Sequence, residues 1–339
     1  MKNYQNFYFV GIGGIGMSAL ARYFHAAGKN VLGYDKTETK LTTELQKEGI
    51  SITFEDVVEE KISSLKKEET LVIYTPAIKV LGILDYFNEN GFEVLKRAKV
   101  LGMITEDTNC IAVAGTHGKT TTSSLVAHLC KVANLPFSGF LGGIAENYKS
   151  NFIFNGTEMS VLEADEYDRS FLNLSPDWAI ITSIDADHLD IYGDTETIEQ
   201  GFRDFADLVP ENDQLFVRKG VNIGRPCKTY AVNEEADFYS DNLRIEGEKM
   251  FFDFNYEGKT EEFSWEIPGI HNVENATAAI AVLYSLGIDF ETIKTGISTF
   301  KGIKRRYTKH SFANGKIYVD DYAHHPTELN RSEERRVGK

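Results

Sequence analysis

The triplet Gly118-Lys119-Thr120 has the residue types that a nucleoside triphosphate site requires. Backbone N–H groups of a glycine loop surround the phosphates, a lysine ammonium neutralises the β- and γ-phosphate oxygens, and a threonine hydroxyl serves Mg²⁺. The full pattern G-x-x-x-x-G-K-T would need glycine at position 113, whereas this chain has Val113 there. The spacing therefore predicts a shortened phosphate-binding loop for ATP or GTP. Its candidate contacts are Gly115, Thr116, His117, Gly118, Lys119, Thr120 and Thr121.

Acidic residues follow two predicted strands downstream of this loop, in residues 162–166 and 183–188. Carboxylates at strand ends near a phosphate loop suit Mg²⁺, because that ion prefers oxygen ligands and keeps part of its hydration. A solvated acidic loop is the alternative for any one of them. His188 is equivocal, since imidazole is an unusual Mg²⁺ ligand and a packed histidine is commoner. The pattern predicts a magnesium site that includes Glu166.

A second glycine loop, Gly11-x-Gly13-x-x-Gly16, lies between a predicted strand and a predicted helix, and Asp35 ends the next strand. Glycines allow the tight turn and the close approach of the backbone to a diphosphate, and an acid at this distance can bind a ribose hydroxyl. The pattern predicts a nucleotide diphosphate site, without specifying NAD. A purely structural glycine turn is the alternative.

Three further clusters contain residues capable of chemistry. Residues 271–275 precede an apolar helix, where Asn272 could be an N-cap as readily as a ligand contact. Residues 304–307 form a basic spot that could equally be solvated surface. Residues 320–326 collect two acids, a phenol and two imidazoles, which is too dense for an ordinary turn but lacks the spacing of a zinc site.

Charge and composition exclude several classes of protein. The 339 residues are 42% apolar and 26% charged, as in a folded globular protein, and their number suggests about two domains. Lys and Arg number 36 against 51 Asp and Glu, a net charge of −15, which disfavours general binding to nucleic acid or anionic lipid. Small phosphorylated ligands remain possible, because a few N–H groups and one lysine can bind them.

The cysteines and the hydropathy pattern predict a cytoplasmic protein. Three widely spaced cysteines offer neither a C-x-x-C pair nor a disulfide framework, which favours a reducing compartment. The first residues have no apolar core of a signal peptide, and no later stretch has the ~18 consecutive apolar residues of a membrane span. Neither a nucleic acid nor a membrane is therefore an expected partner, and the sequence does not indicate an oligomeric state.

The hydrophobic pattern predicts an α/β fold with two successive units. In the first ninety residues, strands alternate with amphipathic helices, which is typical of parallel β-α-β units. The pattern restarts near residues 105–109. The predicted strands are 7–10, 31–34, 71–74, 110–114, 159–162, 178–184, 214–217, 250–255 and 316–319, and the longer helices are 15–27, 119–133, 272–286 and 290–300.

These elements define three domains. Residues 1–105 are expected to form a Rossmann-like domain, and residues 106–304 a P-loop-type α/β ATPase domain. The 35 residues 305–339 are expected to begin a third domain that is largely absent. A dehydrogenase needs only the first glycine loop and a simple GTPase only the second. Their combination indicates an ATP-driven enzyme whose substrate is itself a nucleotide conjugate.

Seven motifs, in this order, resemble the Mur ligases of bacterial cell-wall synthesis, and the resemblance runs from about Phe7 to Glu328. The motifs are GIGGIGMS at 11–18, GTHGKTTT at 115–122, EADEYD at 163–168, DADHLD at 185–190, HNVENATAA at 271–279, KRRY at 304–307 and DDYAHHPTE at 320–328.

The resemblance implies a role for each matching residue. The first domain would hold UDP through Gly11, Gly13, Gly14, Gly16, Ser18 and Asp35. The central domain would bind ATP and Mg²⁺, with Lys119 on the β/γ-phosphates, Thr120 and Glu166 on Mg²⁺, His188 on a second Mg²⁺ and Asn275 beside the adenine. Catalytic residues would be Lys119, Glu166, His188, Arg306 and Asp321, with Tyr322 and His324 near the incoming amino acid.

The implied reaction joins L-alanine to UDP-N-acetylmuramate. A carboxylate of the sugar attacks the γ-phosphorus of ATP to give an acyl phosphate, and the amine of alanine then displaces phosphate. Lys119 and Mg²⁺ would supply the cations that phosphoryl transfer needs, and closure of the domains would exclude water.

Three alternatives stay open. The family's recycling ligase adds a whole tripeptide to the same sugar, but its glycine loop differs from GIGGIGMS. A non-catalytic nucleotide-binding protein could keep both loops, and NAD-dependent oxidoreduction would leave the GKT loop unexplained. The preference among L-alanine, glycine and L-serine is not indicated by the sequence.

The end of the chain departs from the family. Only the beginning of a third domain follows residue 304, and residues 331–339 do not look like the family's continuation. We therefore expect this polypeptide to bind nucleotides but to ligate poorly or not at all. Turnover comparable to that of a full-length homologue would contradict this expectation.

Overall fold

The computed structural model describes residues 4–78, 80–185, 194–247, 249–306, 308–311 and 317–321. The chain divides into two compact units, Met1–Thr108 and Asn109–Lys339, both of the predicted α/β class. Among the described residues, no helix is both long enough and apolar enough to cross a membrane.

The first unit has a parallel sheet of five strands, β1 Asn6–Val10, β2 Asn30–Tyr34, β3 Ser51–Thr53, β4 Thr70–Tyr74 and β5 Glu93–Lys96. They are arranged in the order β3-β2-β1-β4-β5, with Phe7 of β1 paired to Val31 on one side and Leu71 on the other. The central position of β1 explains its unbroken apolar run. Between β1 and β4 the direction of the strand order reverses, and in open α/β sheets ligands bind beyond the carboxyl ends of the strands at such a point.

Five helices accompany this sheet: α1 Ile15–Ala26, α2 Lys40–Lys47, α3 Glu60–Ser63, α4 Gly82–Glu89 and α5 Arg97–Glu106. Helix α1 follows the first glycine loop and buries Phe24 against Phe7. It ends before Gly28, whose φ of +76° is the left-handed conformation that glycine adopts most easily after a helix. The Thr39 hydroxyl caps α2 by accepting the N–H of Thr42.

The second unit has a sheet of ten strands, in the order β15-β14-β13-β12-β11-β10-β6-β9-β7-β8. The seven strands from β13 to β7 are parallel, while β8, β14 and β15 extend the edges with antiparallel pairs. The strands are β6 Asn109–Ala114, β7 Phe137–Ala145, β8 Ser150–Phe154, β9 Met159–Glu163, β10 Trp178–Ile181, β11 Leu215–Arg218, β12 Lys228–Val232, β13 Phe238–Glu246, β14 Lys249–Tyr256 and β15 Lys259–Trp265.

Four helices are described in this unit: α6 Lys119–Val132, α7 Thr195–Ala206, α8 Ile270–Ser285 and α9 Phe290–Thr299. Helices α6, α8 and α9 share one core, in which a Cβ on Gly296 would collide with the Leu129 side chain. Beyond them, β16 Thr308–Ser311 pairs antiparallel with β17 Ile317–Asp320. Because β6 and β9 are neighbours, residues that follow them along the chain lie at the same edge of the sheet.

The start of α8 corrects one interpretation. The helix begins at Ile270, with Gly269 at the N-cap position, so the reading of Asn272 as an N-cap is wrong. The Asn272 amide instead donates to the Pro268 carbonyl at 2.6 Å. Ile270 is exposed and does not lie on the buried apolar face of α8. The apolar pattern therefore did not reveal that the helix begins two residues earlier than predicted.

Candidate functional site

The loop between β6 and α6 has a conformation that requires its glycines. Gly115 has φ of +133° and Gly118 has φ of +85°. A Cβ at Gly115 would collide with the Thr182 hydroxyl and lie 2.9 Å from the Ser183 nitrogen. A Cβ at Gly118 would lie 2.7 Å from the Asn275 Oδ1. These two glycines therefore permit both the turn and the close approach of the neighbouring elements.

The residues that follow β10 hold the loop in place. The Thr116 N–H donates to the Ser183 carbonyl at 3.0 Å, and the His117 N–H donates to the Ser183 Oγ at 3.0 Å. The Asp185 N–H donates to the Thr116 Oγ1 at 3.1 Å, and the Asp185 carboxylate lies 3.3 Å from the His117 Nε2. The loop is therefore ordered by its own protein contacts.

Helix α6 presents its amino terminus to this loop. Its N-cap residue is Gly118, and no side chain caps the helix in the described part of the chain. The first N–H groups of a helix have no intrahelical partner and carry partial positive charge. This helix end can therefore bind an anion such as phosphate.

The ammonium of Lys119 lies at the first turn of α6 with three oxygen acceptors. The Nζ is 2.5 Å from the Gly115 carbonyl, 3.3 Å from the Thr116 carbonyl and 2.8 Å from the Glu166 Oε1. The Glu166 side chain is 3% exposed and that of Lys119 is 13% exposed. The predicted loop lysine thus has a buried carboxylate partner from a segment 47 residues away.

The hydroxyl of Thr120 is bonded to a different acid, Glu163. It donates to the Glu163 Oε2 at 2.9 Å, across 43 residues of sequence. Glu163 is the last residue of β9, and Gly142 on the adjacent β7 leaves room for its carboxylate, because a Cβ there would collide with it. The sequence placed Glu163 in an acidic run without singling it out. Its position as the last residue of a parallel strand beside β6 was the available signal.

Burial raises the pKa of both acids above the ordinary value for glutamate. The positive charge of Lys119 acts in the opposite direction on Glu163, together with the Thr120 hydroxyl and the charge of Arg306. Lys119 likewise lowers the pKa of Glu166, through its charge and its hydrogen bond. One ammonium therefore compensates the charge of two carboxyl groups.

Two oxygen-bearing side chains at this loop fit a magnesium ion. The described residues contain no group of three or more His, Cys, Asp or Glu side chains that could hold a metal ion. Mg²⁺ does not need such a group, because it is usually bound by one or two carboxylates together with phosphates and waters. The paired hydroxyl of Thr120 and carboxylate of Glu163 are ligands of that kind, beside the predicted phosphate site.

The remaining predicted residues of this unit are placed as follows. Asn275, in the first turns of α8, is 8% exposed and lies beside Gly118. The Arg306 N–H donates to the Ile303 carbonyl, in a segment tied to β7 by the bond from the Lys304 N–H to the Ile144 carbonyl. Asp321 directly follows β17. His188, Tyr322 and His324 lie outside the described residues.

The first glycine loop has a distinct geometry at the carboxyl end of β1. Gly11 has φ of +88°, and its N–H donates to the Tyr34 carbonyl at 2.8 Å. The Gly13 N–H donates to the Asp35 Oδ2 at 2.7 Å. Asp35, the acid predicted to bind a ribose hydroxyl, is thus hydrogen-bonded to the loop itself and fixes the shape of the loop.

Ser18 of α1 and Arg97 of α5 both lie close to this loop. The Ser18 side chain is fully buried, and its hydroxyl donates to the Ile15 carbonyl at 2.9 Å, inside the helix. Arg97, the first residue of α5, was not predicted: a Cβ on Gly16 would lie 2.9 Å from its Nη1. This guanidinium adds positive charge at the loop that opens α1, and Gly14 lies at the N-cap of the same helix.

Comparison with known proteins assigns both units to one family. The family model described as "Mur ligase family, catalytic domain" matches residues 6–108, and the model "Mur ligase middle domain" matches residues 113–283. A UDP-N-acetylmuramate–L-alanine ligase of Flavobacterium psychrophilum is 48% identical over 334 residues, which cover 97% of this chain and 74% of the relative.

Solved structures have the same fold. The UDP-N-acetylmuramate–alanine ligase of Thermotoga maritima matches with a TM-score of 0.85 and 29% identity, over 97% of this chain and 76% of that one. A murein peptide ligase of Psychrobacter arcticus matches with a TM-score of 0.80 over 99% and 77% of the two chains, but at 24% identity this likeness shows the fold alone. Together with the glycine loops and the lysine site, these matches show that the chain belongs to the Mur ligase family.

Proposed function

We propose that this chain acts as an ATP-dependent ligase that forms an amide bond between L-alanine and UDP-N-acetylmuramate and releases ADP. The observation that carries the proposal is the arrangement of Lys119, Thr120 and Glu163 at the amino terminus of α6. The likeness to alanine-adding relatives over 97% of the chain supports the choice of substrates. The proposed location is the cytoplasm, because the reaction consumes ATP.

Residues 106–304 form the proposed ATP domain. The N–H groups of the loop and of the first turn of α6 would hold the phosphates, and Lys119 would neutralise the β- and γ-phosphate oxygens. Asn275 lies beside Gly118 and would meet the nucleoside side of the ligand. The other proposed contacts are Gly115, Thr116, His117, Thr120 and Thr121.

Thr120 and Glu163 are the residues that we propose as ligands of Mg²⁺. Glu166 would instead bind the Lys119 ammonium. When bound, the ion would neutralise part of the phosphate charge that phosphoryl transfer must overcome. His188 stays the candidate for a second ion. The protein's own contribution is positional, since hydrogen bonds to Ser183 and Asp185 fix the loop.

The chemistry explains why a triphosphate is needed. A carboxylate is a poor acyl donor and must first be activated. Its oxygen attacks the γ-phosphorus of ATP, ADP leaves, and an acyl phosphate forms. The amine of L-alanine then attacks the acyl carbon and phosphate leaves. Lys119 and the N-terminus of α6 would stabilise the negative charge of the transferred group. Water must be excluded, because it would hydrolyse the acyl phosphate.

Residues 1–105 form the proposed UDP-sugar domain. Gly11, Gly13, Gly14 and Gly16 would bring the backbone close to the diphosphate, and Arg97 would add a cation at the start of α1. The Asp35 carboxylate would accept the Gly13 N–H and so keep the loop in its conformation. Residues 305–339 would begin a third domain, with Arg306, Asp321, Tyr322 and His324 near the amino-acid substrate.

The relatives favour this function over the alternatives. The alanine-adding relative is 48% identical, whereas the likeness to a murein peptide ligase shows only a shared fold. A role in nucleotide binding without catalysis has no specific observation in its favour, because the described site keeps the lysine, the hydroxyl and the acid that phosphoryl transfer uses.

The test is an assay of partial and full reactions. The chain is incubated with ATP, Mg²⁺ and UDP-N-acetylmuramate, with and without L-alanine, and ADP and the amide product are measured by mass spectrometry. Hydroxylamine traps an acyl phosphate as a hydroxamate even where ligation is slow. ADP formation that requires the UDP-sugar supports the proposal, whereas ADP formation that is indifferent to the sugar contradicts it. The same assay measures the rate at which the chain forms the amide product.

A further inference from the structure

The Lys119 ammonium has three protein acceptors in the structure. Two are carbonyls of its own loop, Gly115 and Thr116, and the third is the Glu166 carboxylate. An ammonium has three N–H donors, so these contacts can satisfy all of them. A phosphate that binds this lysine must therefore replace or share an existing partner.

Glu166 is held in place by a turn that is anchored in the core. It directly precedes the 3₁₀ helix Tyr167–Asn173, and its carbonyl accepts the Arg169 N–H at 2.9 Å. Within that helix, Phe171 is buried and stacks on Phe205 at a centroid distance of 5.1 Å. The carboxylate is therefore presented to Lys119 by a packed segment and not by a free loop.

The charges of the site disfavour a metal-free triphosphate. Glu166 is buried and Glu163 is half-buried, and Lys119 is bonded to Glu166 and compensates the charge of both. A triphosphate adds several negative charges to the same place. If the ammonium turned from Glu166 to a phosphate, the carboxylate would be left buried beside an anion, and an unpaired buried charge is strongly unfavourable.

We propose that Glu166 is a positioning residue that competes with the triphosphate for the Lys119 ammonium, and that this competition makes nucleotide binding depend on a divalent cation. The inference rests on the proposed function in one respect, namely that a triphosphate binds at Lys119. The cation neutralises part of the negative charge that the nucleotide brings to the site. A nucleotide bound to its cation therefore has a smaller electrostatic penalty of binding than the metal-free anion.

The experiment measures ADP affinity by calorimetry in EDTA and again in Mg²⁺, for the wild-type chain and two variants. Glu166→Gln removes the charge but keeps an oxygen that can accept from Lys119. Asp165→Asn is the matched control, because it removes one charge at the adjacent position, where the Asp165 Oδ1 accepts the Tyr167 N–H at 3.1 Å. Thermal unfolding verifies that each variant is folded. Glu166→Met, of similar volume, replaces the glutamine variant if that one does not fold.

We expect E166Q to bind metal-free ADP at least fivefold more tightly than wild type, and Mg²⁺-ADP with less than a threefold change. D165N should change both affinities by less than threefold. A gain of less than fivefold in E166Q, or an equal gain in D165N, would overturn the inference while leaving the proposed function intact. If the wild-type chain binds no ADP under either condition, the proposed function fails and the inference fails with it.

Discussion

The Thr120 hydroxyl donates to the Glu163 carboxylate at 2.9 Å, and this bond links the phosphate loop to the strand beside it. The two residues are brought together because β6 and β9 are parallel neighbours whose carboxyl ends lie at the same edge of the sheet. Gly142 on β7 leaves the space that the carboxylate occupies. A hydroxyl and a carboxylate beside a phosphate loop are the donor set that Mg²⁺ prefers.

Thr120→Val should weaken the response of nucleotide binding to Mg²⁺. The substitution keeps the side-chain shape but removes the hydroxyl, so the enhancement of ADP affinity by Mg²⁺ should fall about tenfold, the equivalent of one lost polar contact. Calorimetric titration of ADP with and without Mg²⁺ measures this enhancement. Thr295→Val on α9 is the control, since its exposed hydroxyl donates to the Glu291 carbonyl and to no other group in the described part of the chain. An unchanged Mg²⁺ enhancement in T120V would refute the assignment.

Lys119→Ala should abolish most ATP binding and leave UDP-sugar binding intact. Loss of a charge-assisted contact of about 2–3 kcal/mol corresponds to roughly a 30- to 150-fold weaker affinity. Lys131→Ala provides a matched loss of one positive charge from the same helix, where the Lys131 ammonium bonds to the Asn155 Oδ1 at 2.6 Å. Separate titrations with ATP and the UDP-sugar distinguish the sites. A parallel fall in both affinities, in a folded K119A variant, would show that the two sites are not separate.

Gly118→Ala should be more damaging than Gly220→Ala. The two glycines have similar φ, +85° and +91°, so each substitution should reduce the free energy of unfolding by about 1–2 kcal/mol through backbone strain. A Cβ at Gly118 also approaches the Asn275 Oδ1 to 2.7 Å, whereas a Cβ at Gly220 meets nothing within 4 Å. Urea unfolding should show a further loss of about 1 kcal/mol in G118A, and ATP affinity should fall in G118A alone. Equal effects in the two variants would argue against the role of this contact.

His128 should make the second unit less stable as pH falls. Burial lowers the pKa of His128 to about 4, and its ring nitrogens lie 2.7 Å from the Tyr148 hydroxyl and 3.0 Å from the Thr299 Oγ1. Between pH 6.5 and about 4 the unfolded chain binds the proton and the folded chain does not, so stability is lost as pH decreases through this window, by on the order of 3 kcal/mol.

Histidine variants measure this contribution. His128→Gln keeps a polar side chain without the titration, so its free energy of unfolding should decline less steeply between pH 6.5 and 4 than that of wild type. His25→Gln, at an exposed position on α1, should follow the wild-type curve. Urea titrations at half-unit pH intervals give the comparison, and identical slopes for H128Q and wild type would rule out this source of acid sensitivity.

Asp35→Ala should weaken UDP-sugar binding without affecting ATP. The Asp35 carboxylate holds the Gly13 N–H at 2.7 Å, and loss of such a bond removes about 1–3 kcal/mol from the stability of the loop. UDP-sugar affinity should fall about tenfold as the loop loses its shape. Asp35→Asn retains an oxygen acceptor, so its affinity should stay within threefold of wild type. Full UDP-sugar affinity in D35A would mean that Asp35 does not fix the loop.

Local patterns were sufficient for the first strand of each unit and for the helix that follows the phosphate loop. The predicted strands at 7–10 and 110–114 and the helix at 119–133 are found with bounds that shift by one residue at most. The strands β3 and β5 were not predicted, because they have only three and four residues, none of them fully buried, and such short segments show too weak a hydrophobic period. Strand β12 was missed for the same reason, since only two of its five residues are fully buried.

The sequence by itself determined the family, the two glycine loops and the elements on either side of each, because glycine conformation and hydrophobic periodicity act over a few residues. Only the tertiary structure decided which acid meets which partner: Glu163 bonds to Thr120, Glu166 to Lys119 and Asp35 to Gly13. It also placed Arg97 at the loop that begins α1. These pairings depend on which strands are neighbours in a sheet, and strand order is set by packing between segments that are distant in sequence.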